Sequence, residues 1–149
     1  MFRRSLIVLL FLFSSCSLPS RTGQKIYSDF FGSPNANCVQ VLHFRDARAL
    51  DDCCVWLHFK ACPQEVIRIL SQHPYDAGVL SKKLIDLEFP DTTVSDESLI
   101  STAPPRWWSI KKLGNSCLRF EYRLPDKDYI QVAYISTDSA EVYYRDMSW

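Results

Sequence analysis

The sequence predicts an α+β fold: an antiparallel sheet of two N-terminal strands and a C-terminal three-stranded meander, with one or two helices packed on one face. Apolar and polar side chains alternate in residues 118–123, 129–136 and 140–145, and short turn segments join these strands. The same alternation in residues 53–60 indicates a further strand. Apolar residues at helical spacing follow Pro63, and this order of elements is typical of a two-layer α+β domain.

The first N-terminal strand is assigned to residues 38–45, although the same segment is compatible with a helix that runs on to Leu50. The side chains on its two predicted faces are Val39, Val41 and His43 on one, and Leu42 and Phe44 on the other. In the second strand, residues 53–60, the alternation puts Trp56 and His58 on one face.

The main predicted helix begins at Pro63, which is tolerated at the first helical position, and closes at His73, because helical geometry is disfavoured before Pro74. A second short helix is predicted over residues 77–87. Residues 88–105 contain 3 prolines and many Ser, Thr and Asp residues, which predicts a long functional or mobile loop. The meander is expected to leave one face open to water.

The composition fits a single α+β domain, assigned to residues 38–149. Of the 149 residues, 47% are hydrophobic and 23% are charged, which is normal for a globular protein and argues against intrinsic disorder. The 17 basic residues balance the 17 acidic ones, so no nucleic-acid partner is expected. With only 4 glycines the chain has no glycine-rich phosphate-binding motif.

The N-terminus has the three parts of an export signal, which we assign to residues 1–15 as a signal peptide. Arg3 and Arg4 form a basic start, residues 6–13 form an unbroken apolar run, and two serines follow. The run has 8 residues, whereas a helix that spans a membrane needs about 20. The pattern therefore predicts export rather than a permanent transmembrane span.

The segment Phe13-Ser14-Ser15-Cys16 resembles the lipobox of bacterial lipoproteins, in which an apolar residue and two small residues precede an invariant cysteine. The resemblance covers about the first 17 residues, and the family favours Leu where this chain has Phe13. It implies cleavage before Cys16 and acylation of both Cys16 and the new amino terminus. Two or more acyl chains anchor a protein stably in a bilayer. The alternative is a secreted protein cut after Ser15 or Ser17.

Lipidation implies attachment to the cell membrane or outer membrane, with the protein facing the periplasm or the cell exterior. Ser17 follows the lipidated cysteine, and in lipoproteins of two-membrane bacteria the absence of Asp there resembles the outer-membrane default. Residues 16–37 are rich in Ser, Pro, Gly and Asn and are predicted to form the lipidated cysteine and its tether. The aromatic patch over residues 27–31 is expected to dock on the domain.

Acylation of Cys16 leaves five other cysteines, and an exported protein usually meets an oxidising compartment in which disulfides form. The candidates are Cys38, Cys53, Cys54, Cys62 and Cys117. Cys53 and Cys54 point to opposite faces of one strand, so they are not expected to bridge each other. The equally weighted alternative is that most of these cysteines are small buried thiols.

No catalytic constellation is recognisable, so we expect neither an enzyme nor a bound metal or cofactor. His43, His58, His73 and the cysteines match no standard zinc-binding spacing. His43 and His58 are candidates to lie side by side on paired strands. A small enzyme that uses these histidines and a free cysteine is the less favoured alternative.

Arg106, Trp107 and Trp108 form the strongest candidate for partner binding, because Trp and Arg are enriched in binding hot spots. The alternative is that both tryptophans fill the open face of the sheet. We therefore expect an exported, lipid-anchored envelope protein with a non-catalytic binding or structural role. Its expected partners are the membrane, through the lipid, and an envelope protein or glycan. An inhibitor or immunity-type protein is the related alternative.

Overall fold

The structure is a computed structural model that describes residues 21–34, 37–49, 52–88, 104–137 and 140–148. Its helices are α1 (Gly23–Phe31), α2 (Pro63–Leu70) and α3 (Lys82–Glu88), and Ile110–Leu113 forms a 3₁₀ turn. Its strands are β1 (Gln40–Ala49), β2 (Asp52–Lys60), β3 (Asp76–Ser81), β4 (Ser116–Arg123), β5 (Tyr129–Ser136) and β6 (Glu141–Ser148). The predicted signal peptide, Cys16 and most of the predicted loop over residues 88–105 lie outside the described residues.

The six strands form one antiparallel sheet in the order β1-β2-β6-β5-β4-β3. The N-terminal hairpin β1–β2 joins the C-terminal meander because β2 pairs with β6. An α+β fold on an antiparallel sheet is therefore confirmed. The arrangement differs from the prediction, since the hairpin and the meander belong to one continuous sheet and β3 adds a sixth strand beside β4.

The predicted helix over residues 77–87 is wrong in its first half. Asp76–Ser81 forms the edge strand β3, and the helix α3 starts only at Lys82. Every residue of β3 pairs with β4, and Leu80 is buried in the core beneath the strand. Gly78 favours this outcome, because glycine costs a helix about 1 kcal/mol relative to alanine.

One face of the sheet, which we call the helix face, packs against α1 and α2. Its buried side chains come from the three central strands and are Val55, Leu57, Phe59, Ala133, Ile135, Val142 and Tyr144. Helix α1 buries Ile26, Tyr27 and Phe31 against them. The aromatic patch therefore docks on the domain as a helix, and the folded unit includes Gly23–Phe31, upstream of the expected boundary at Cys38.

A buried polar cluster fixes α1 against α2. Glu65 is 1% exposed and accepts a hydrogen bond of 2.6 Å from the Tyr27 hydroxyl. Arg68 donates to both oxygens of the Glu65 carboxylate, at 2.9 and 2.6 Å, and to the carbonyl oxygen of Phe31 at 2.6 Å. Burial and the Glu65 carboxylate raise the pKa of Tyr27, so its hydroxyl stays protonated as a donor.

The opposite face, which we call the tryptophan face, is also covered. Its buried side chains include Trp56, Leu80, Ile85, Trp108, Ile110, Leu113, Tyr134 and Tyr143. In the central strand β5 every residue from Ile130 to Ser136 is buried, as in a strand that is covered on both sides. The expectation that helices cover one face while the other stays open to water is therefore wrong.

A disulfide joins Cys38 to Cys62, with Cα atoms 5.5 Å apart. It ties the segment before β1 to the N-cap of α2. The other candidates for disulfides, Cys53, Cys54 and Cys117, are not part of this bond, and the last two are buried. Both expected uses of cysteine therefore occur in this domain, a disulfide and small buried side chains.

Candidate functional site

A β-bulge in β1 sets the position of His43. Val41 pairs with Phe59 and His43 pairs with His58, so Leu42 is an extra residue on β1. Because of this extra residue, Val41 packs toward the helix face while His43 lies beside His58 on the tryptophan face. The prediction that Val41 and His43 share a face is therefore wrong. Bulges re-aim side chains in this way and are frequent beside functional sites.

The two histidines form an aromatic stack with Trp107 and Tyr143. The His43 ring lies 5.5 Å from the His58 ring and 5.4 Å from the Trp107 ring, centroid to centroid. His58 lies 4.0 Å from Tyr143, with an angle of 11° between the ring planes. His58 and Tyr143 are buried, whereas His43 is exposed and Trp107 is partly exposed. The predicted neighbourhood of His43 and His58 is confirmed, and the stack connects the core to the surface.

Glu141 fixes the orientation of the His58 ring, with 2.7 Å between His58 Nε2 and Glu141 Oε1. A carboxylate only accepts hydrogen bonds, so Nε2 carries the proton and Nδ1 carries the lone pair. Nδ1 is buried and has no hydrogen-bond partner. Burial lowers the pKa of His58, against the opposing effect of Glu141, so the ring is neutral near pH 7.

The structure separates the three residues of the predicted binding motif. Trp108 is 8% exposed and packs edge-on against Trp56 and Tyr143, with ring centroids 4.6 and 5.3 Å apart. Trp108 therefore belongs to the core, which is the alternative that the sequence left open for it. Trp107 is partly exposed and Arg106 is exposed, so these two residues are the accessible part of the motif.

Cys54 and Cys117 do not lie beside His58 of the stack. Cys54 lies four residues from His58 along β2, a separation of about 13 Å at strand spacing. Cys117 is on β4, three strand positions from β2, or about 14 Å. Burial raises the pKa of Cys54 to about 12, so it remains a thiol. Among the described residues these two cysteines and His58 therefore do not assemble a nucleophile and base.

Sequence reasoning missed the contributions of strand β6 to this site. Glu141 holds His58, Tyr143 stacks on it, and the guanidinium carbon of Arg145 lies 5.3 Å from the centre of the Trp56 ring. The period of two in β2 already placed Trp56 and His58 on one face. The pairing of β2 with β6 could not be read from the sequence, because these strands are far apart along the chain.

A second polar cluster lies on the helix face and is internally satisfied. Asp146 is 3% exposed and accepts hydrogen bonds from Tyr129 at 2.7 Å, Gln131 at 3.0 Å and Tyr144 at 3.2 Å. Burial and the nearby Asp146 raise the pKa values of Tyr129 and Tyr144. Since its groups pair with one another, this cluster stabilises the end of the sheet. The candidate site is therefore the aromatic stack and not this cluster.

Among the residues that the structure describes, no group of three or more His, Cys, Asp or Glu side chains could hold a metal ion. His73, the third histidine, stacks on Tyr122 with ring centroids 4.5 Å apart. The described part of the chain also has no helix of the length and apolar character needed to cross a membrane.

No protein-family model matches this chain, and no curated protein or solved structure is significantly similar to it. The geometry alone therefore defines the class: a small α+β domain on a six-stranded antiparallel sheet. Its candidate site is the aromatic stack that reaches the surface at His43 and Trp107.

Proposed function

We propose that the protein is an exported, lipid-anchored envelope protein whose domain has a non-catalytic binding role. The apolar run of residues 6–13 and the lipobox-like segment that ends at Cys16 support this proposal. The Cys38–Cys62 disulfide agrees with it, because disulfides persist in oxidising compartments. In this proposal acyl chains on Cys16 hold the protein at the cell membrane or outer membrane, facing the periplasm or the cell exterior.

The proposed binding surface consists of Arg106, Trp107 and His43. The observation that carries this proposal is that His43 holds the ring of Trp107 in place. The Trp107 ring stacks on the exposed His43 ring, with 5.4 Å between the ring centroids, and it stays partly exposed. A held aromatic ring loses little conformational freedom on binding, and Trp and Arg dominate binding hot spots. The proposed partner is an envelope protein or an envelope glycan. An inhibitor or immunity-type protein would bind its target through the same surface.

A histidine-dependent enzyme is the second candidate, and one observation favours it. Glu141 orients His58 at 2.7 Å and leaves the lone pair of Nδ1 unpartnered, as in a carboxylate-oriented general base. A substrate proton would have to reach this buried atom, and Cys54 is too distant to act as its nucleophile. A binding role needs only the exposed part of the stack, so it remains the favoured proposal.

The anchor is tested by intact-mass spectrometry of the protein extracted from membranes. The proposal expects a chain that begins at Cys16 and carries the added mass of acyl groups. The Cys16→Ser variant should be neither cleaved nor acylated, and it should no longer be found in the membrane fraction. A wild-type protein that lacks acyl groups and begins elsewhere would contradict lipid anchoring.

The binding surface is tested by cross-linking the purified protein to isolated cell envelopes. Trp107→Ala should reduce the cross-linked yield about tenfold, as expected for loss of a hot-spot residue. Ile67→Ala is the matched control, because Ile67 is 67% exposed on α2, which packs on the helix face. Equal yields for wild type and Trp107→Ala, with both folded by circular dichroism, would exclude this surface.

A further inference from the structure

Strand β3 is one of the two edges of the sheet, and its backbone is regular. Its six residues pair with β4 without a bulge, whereas the other edge strand, β1, contains the extra residue Leu42. Leu80 is the one buried residue of β3, and Val79 is 64% exposed. The outer side of a regular edge strand presents backbone N–H and C=O groups with which another strand can pair.

The two faces of β3 follow from its register with β4. Leu80 belongs to the core of the tryptophan face, so Asp76 and Gly78 lie on that face as well. Val79 lies on the helix face, opposite Leu118, which packs against the core of that face. The exposed Val79 is therefore at the outer margin of an apolar layer that continues into the sheet.

The sequence of β3 is complementary to itself in an antiparallel pair that is centred on Val79. In this register Val79 of one copy faces Val79 of the other. Asp76 faces Lys82, the residue that directly follows the strand, and both are exposed. Opposite charges across paired strands attract each other. Leu80 faces Gly78, where an added Cβ would meet no atom of the described residues within 4 Å, so this position has room for a neighbouring side chain.

We propose that β3 is a dimerisation edge, to which a second copy of this chain adds its own β3 in the antiparallel register centred on Val79. Two-fold symmetry repeats every contact and joins the two six-stranded sheets into one. The edge at β3 is five strand spacings, or about 24 Å, from β1 and its residue His43. The dimer therefore does not use the proposed binding surface, and the inference does not depend on the proposed function.

The contact is expected to be weak. Specific, stable interfaces bury about 1,200–2,000 Å² of total surface, and a pair of strands of six residues each belongs at or below the low end of this range. We therefore expect a dimer that forms at high protein concentration and dissociates on dilution.

Engineered cysteines test the register in the purified full-length chain, at about 0.5 mM in detergent, where weak complexes form. In the proposed dimer the two copies of residue 79 are directly opposite each other, within the Cα separation of a disulfide. Val79→Cys should therefore give a covalent dimer on oxidation, measured by non-reducing electrophoresis against the wild type. Ala77→Cys is the matched control, because its two copies would be about 13 Å apart. It should cross-link only when it is mixed with Ser81→Cys, which it faces.

The charge pair gives a second test, which needs no oxidation. Asp76→Lys and Lys82→Asp each place like charges opposite one another, twice by symmetry, and each should weaken dimerisation about tenfold. An equal mixture of the two variants should dimerise as strongly as the wild type, because each acidic side chain then faces a basic one. Sedimentation in density-matched detergent measures the dimer fraction.

Cross-linking of Val79→Cys above the wild type, without cross-linking of Ala77→Cys alone, supports the inference, as does recovery of the dimer in the charge mixture. A yield for Val79→Cys no higher than that of the wild type or of Ala77→Cys overturns it, whether another protein's strand or no strand adds to β3. Dimerisation that neither charge variant weakens overturns the register. The substituted side chains are all exposed, so circular dichroism should show each variant folded.

Discussion

His43 and His58 are neighbours across β1 and β2, with ring centroids 5.5 Å apart, because Leu42 is an extra residue on β1. One ring is exposed and the other is 6% exposed, so the pair links the surface of the domain to its interior. Trp107 stacks on the exposed ring and Tyr143 on the buried one. A change in the protonation state of His58 therefore changes the charge within the aromatic stack of the candidate site.

Acid is expected to destabilise the domain through His58. Burial lowers the folded-state pKa of His58 below its ordinary value of 6.5. Between this lowered pKa and 6.5 the unfolded chain binds more protons than the folded one, so stability falls as the pH decreases through that window. We expect the free energy of unfolding in urea to decrease from about pH 7 to pH 5 in the wild type. The decrease should be smaller in His58→Gln, and identical slopes would contradict the assignment.

The local pattern of the sequence predicted much of this site and little of its assembly. Period-two alternation in β2 placed Trp56 and His58 on one face, which the register confirms. The bulge at Leu42 could not be predicted, because a bulge is defined by the partner strand and not by the residue itself. The same limit hid Tyr143 and Arg145, which reach the site only through long-range pairing of β6.

The fold shows the same division between local and long-range information. Pro63 correctly predicted the start of α2, since its preference for the first helical turn is local. Residues 77–81 form a strand and not the predicted helix, because pairing with β4 overrides a loose helical pattern. The sequence predicted that residues 27–31 dock on the domain, but it did not predict that they belong to a helix. The stability of α1 depends on long-range contacts, because the helix buries Tyr27 and Phe31 against the sheet.

Trp108 and Trp107 are expected to differ sharply in their contributions to stability. Trp108→Ala removes a ring that is 8% exposed, so the free energy of unfolding should fall by about 3–5 kcal/mol. Trp107→Ala removes a partly exposed ring and should cost about 1 kcal/mol. Denaturant unfolding of both variants measures the difference. Equal losses would show that both tryptophans belong to the core and would remove Trp107 from the proposed binding surface.

Glu65 is expected to be the most sensitive polar residue of the contact between α1 and α2. Glu65→Ala removes the acceptor of the Tyr27 hydroxyl and the carboxylate partner of the partly buried Arg68 guanidinium, which keeps its hydrogen bond to the Phe31 carbonyl oxygen. This loss should cost about 3–5 kcal/mol. Tyr27→Phe removes one hydrogen bond and should cost about 1–2 kcal/mol. In a double-mutant cycle the two losses should not add, because the residues are in direct contact. Additive losses would rule out the energetic coupling that this contact predicts.

Reduction of the Cys38–Cys62 disulfide is expected to weaken the domain without abolishing the aromatic stack. The bond closes a loop with a sequence separation of 24, so its loss should lower the free energy of unfolding by about 2–4 kcal/mol. The Cys38→Ser/Cys62→Ser variant should match the wild type measured in dithiothreitol. Cys53→Ser is the control, because Cys53 is not part of the Cys38–Cys62 bond, so the stability of this variant should still depend on the reductant. Since the bond joins the segment before β1 to α2, on the helix-face side of the sheet, the fluorescence of Trp107 and Trp108 in the folded state should not change. A wild type whose stability does not change with the reductant would show that the two cysteines are not bonded. The proposal that the protein is exported to an oxidising compartment would then lose the structural observation that supports it.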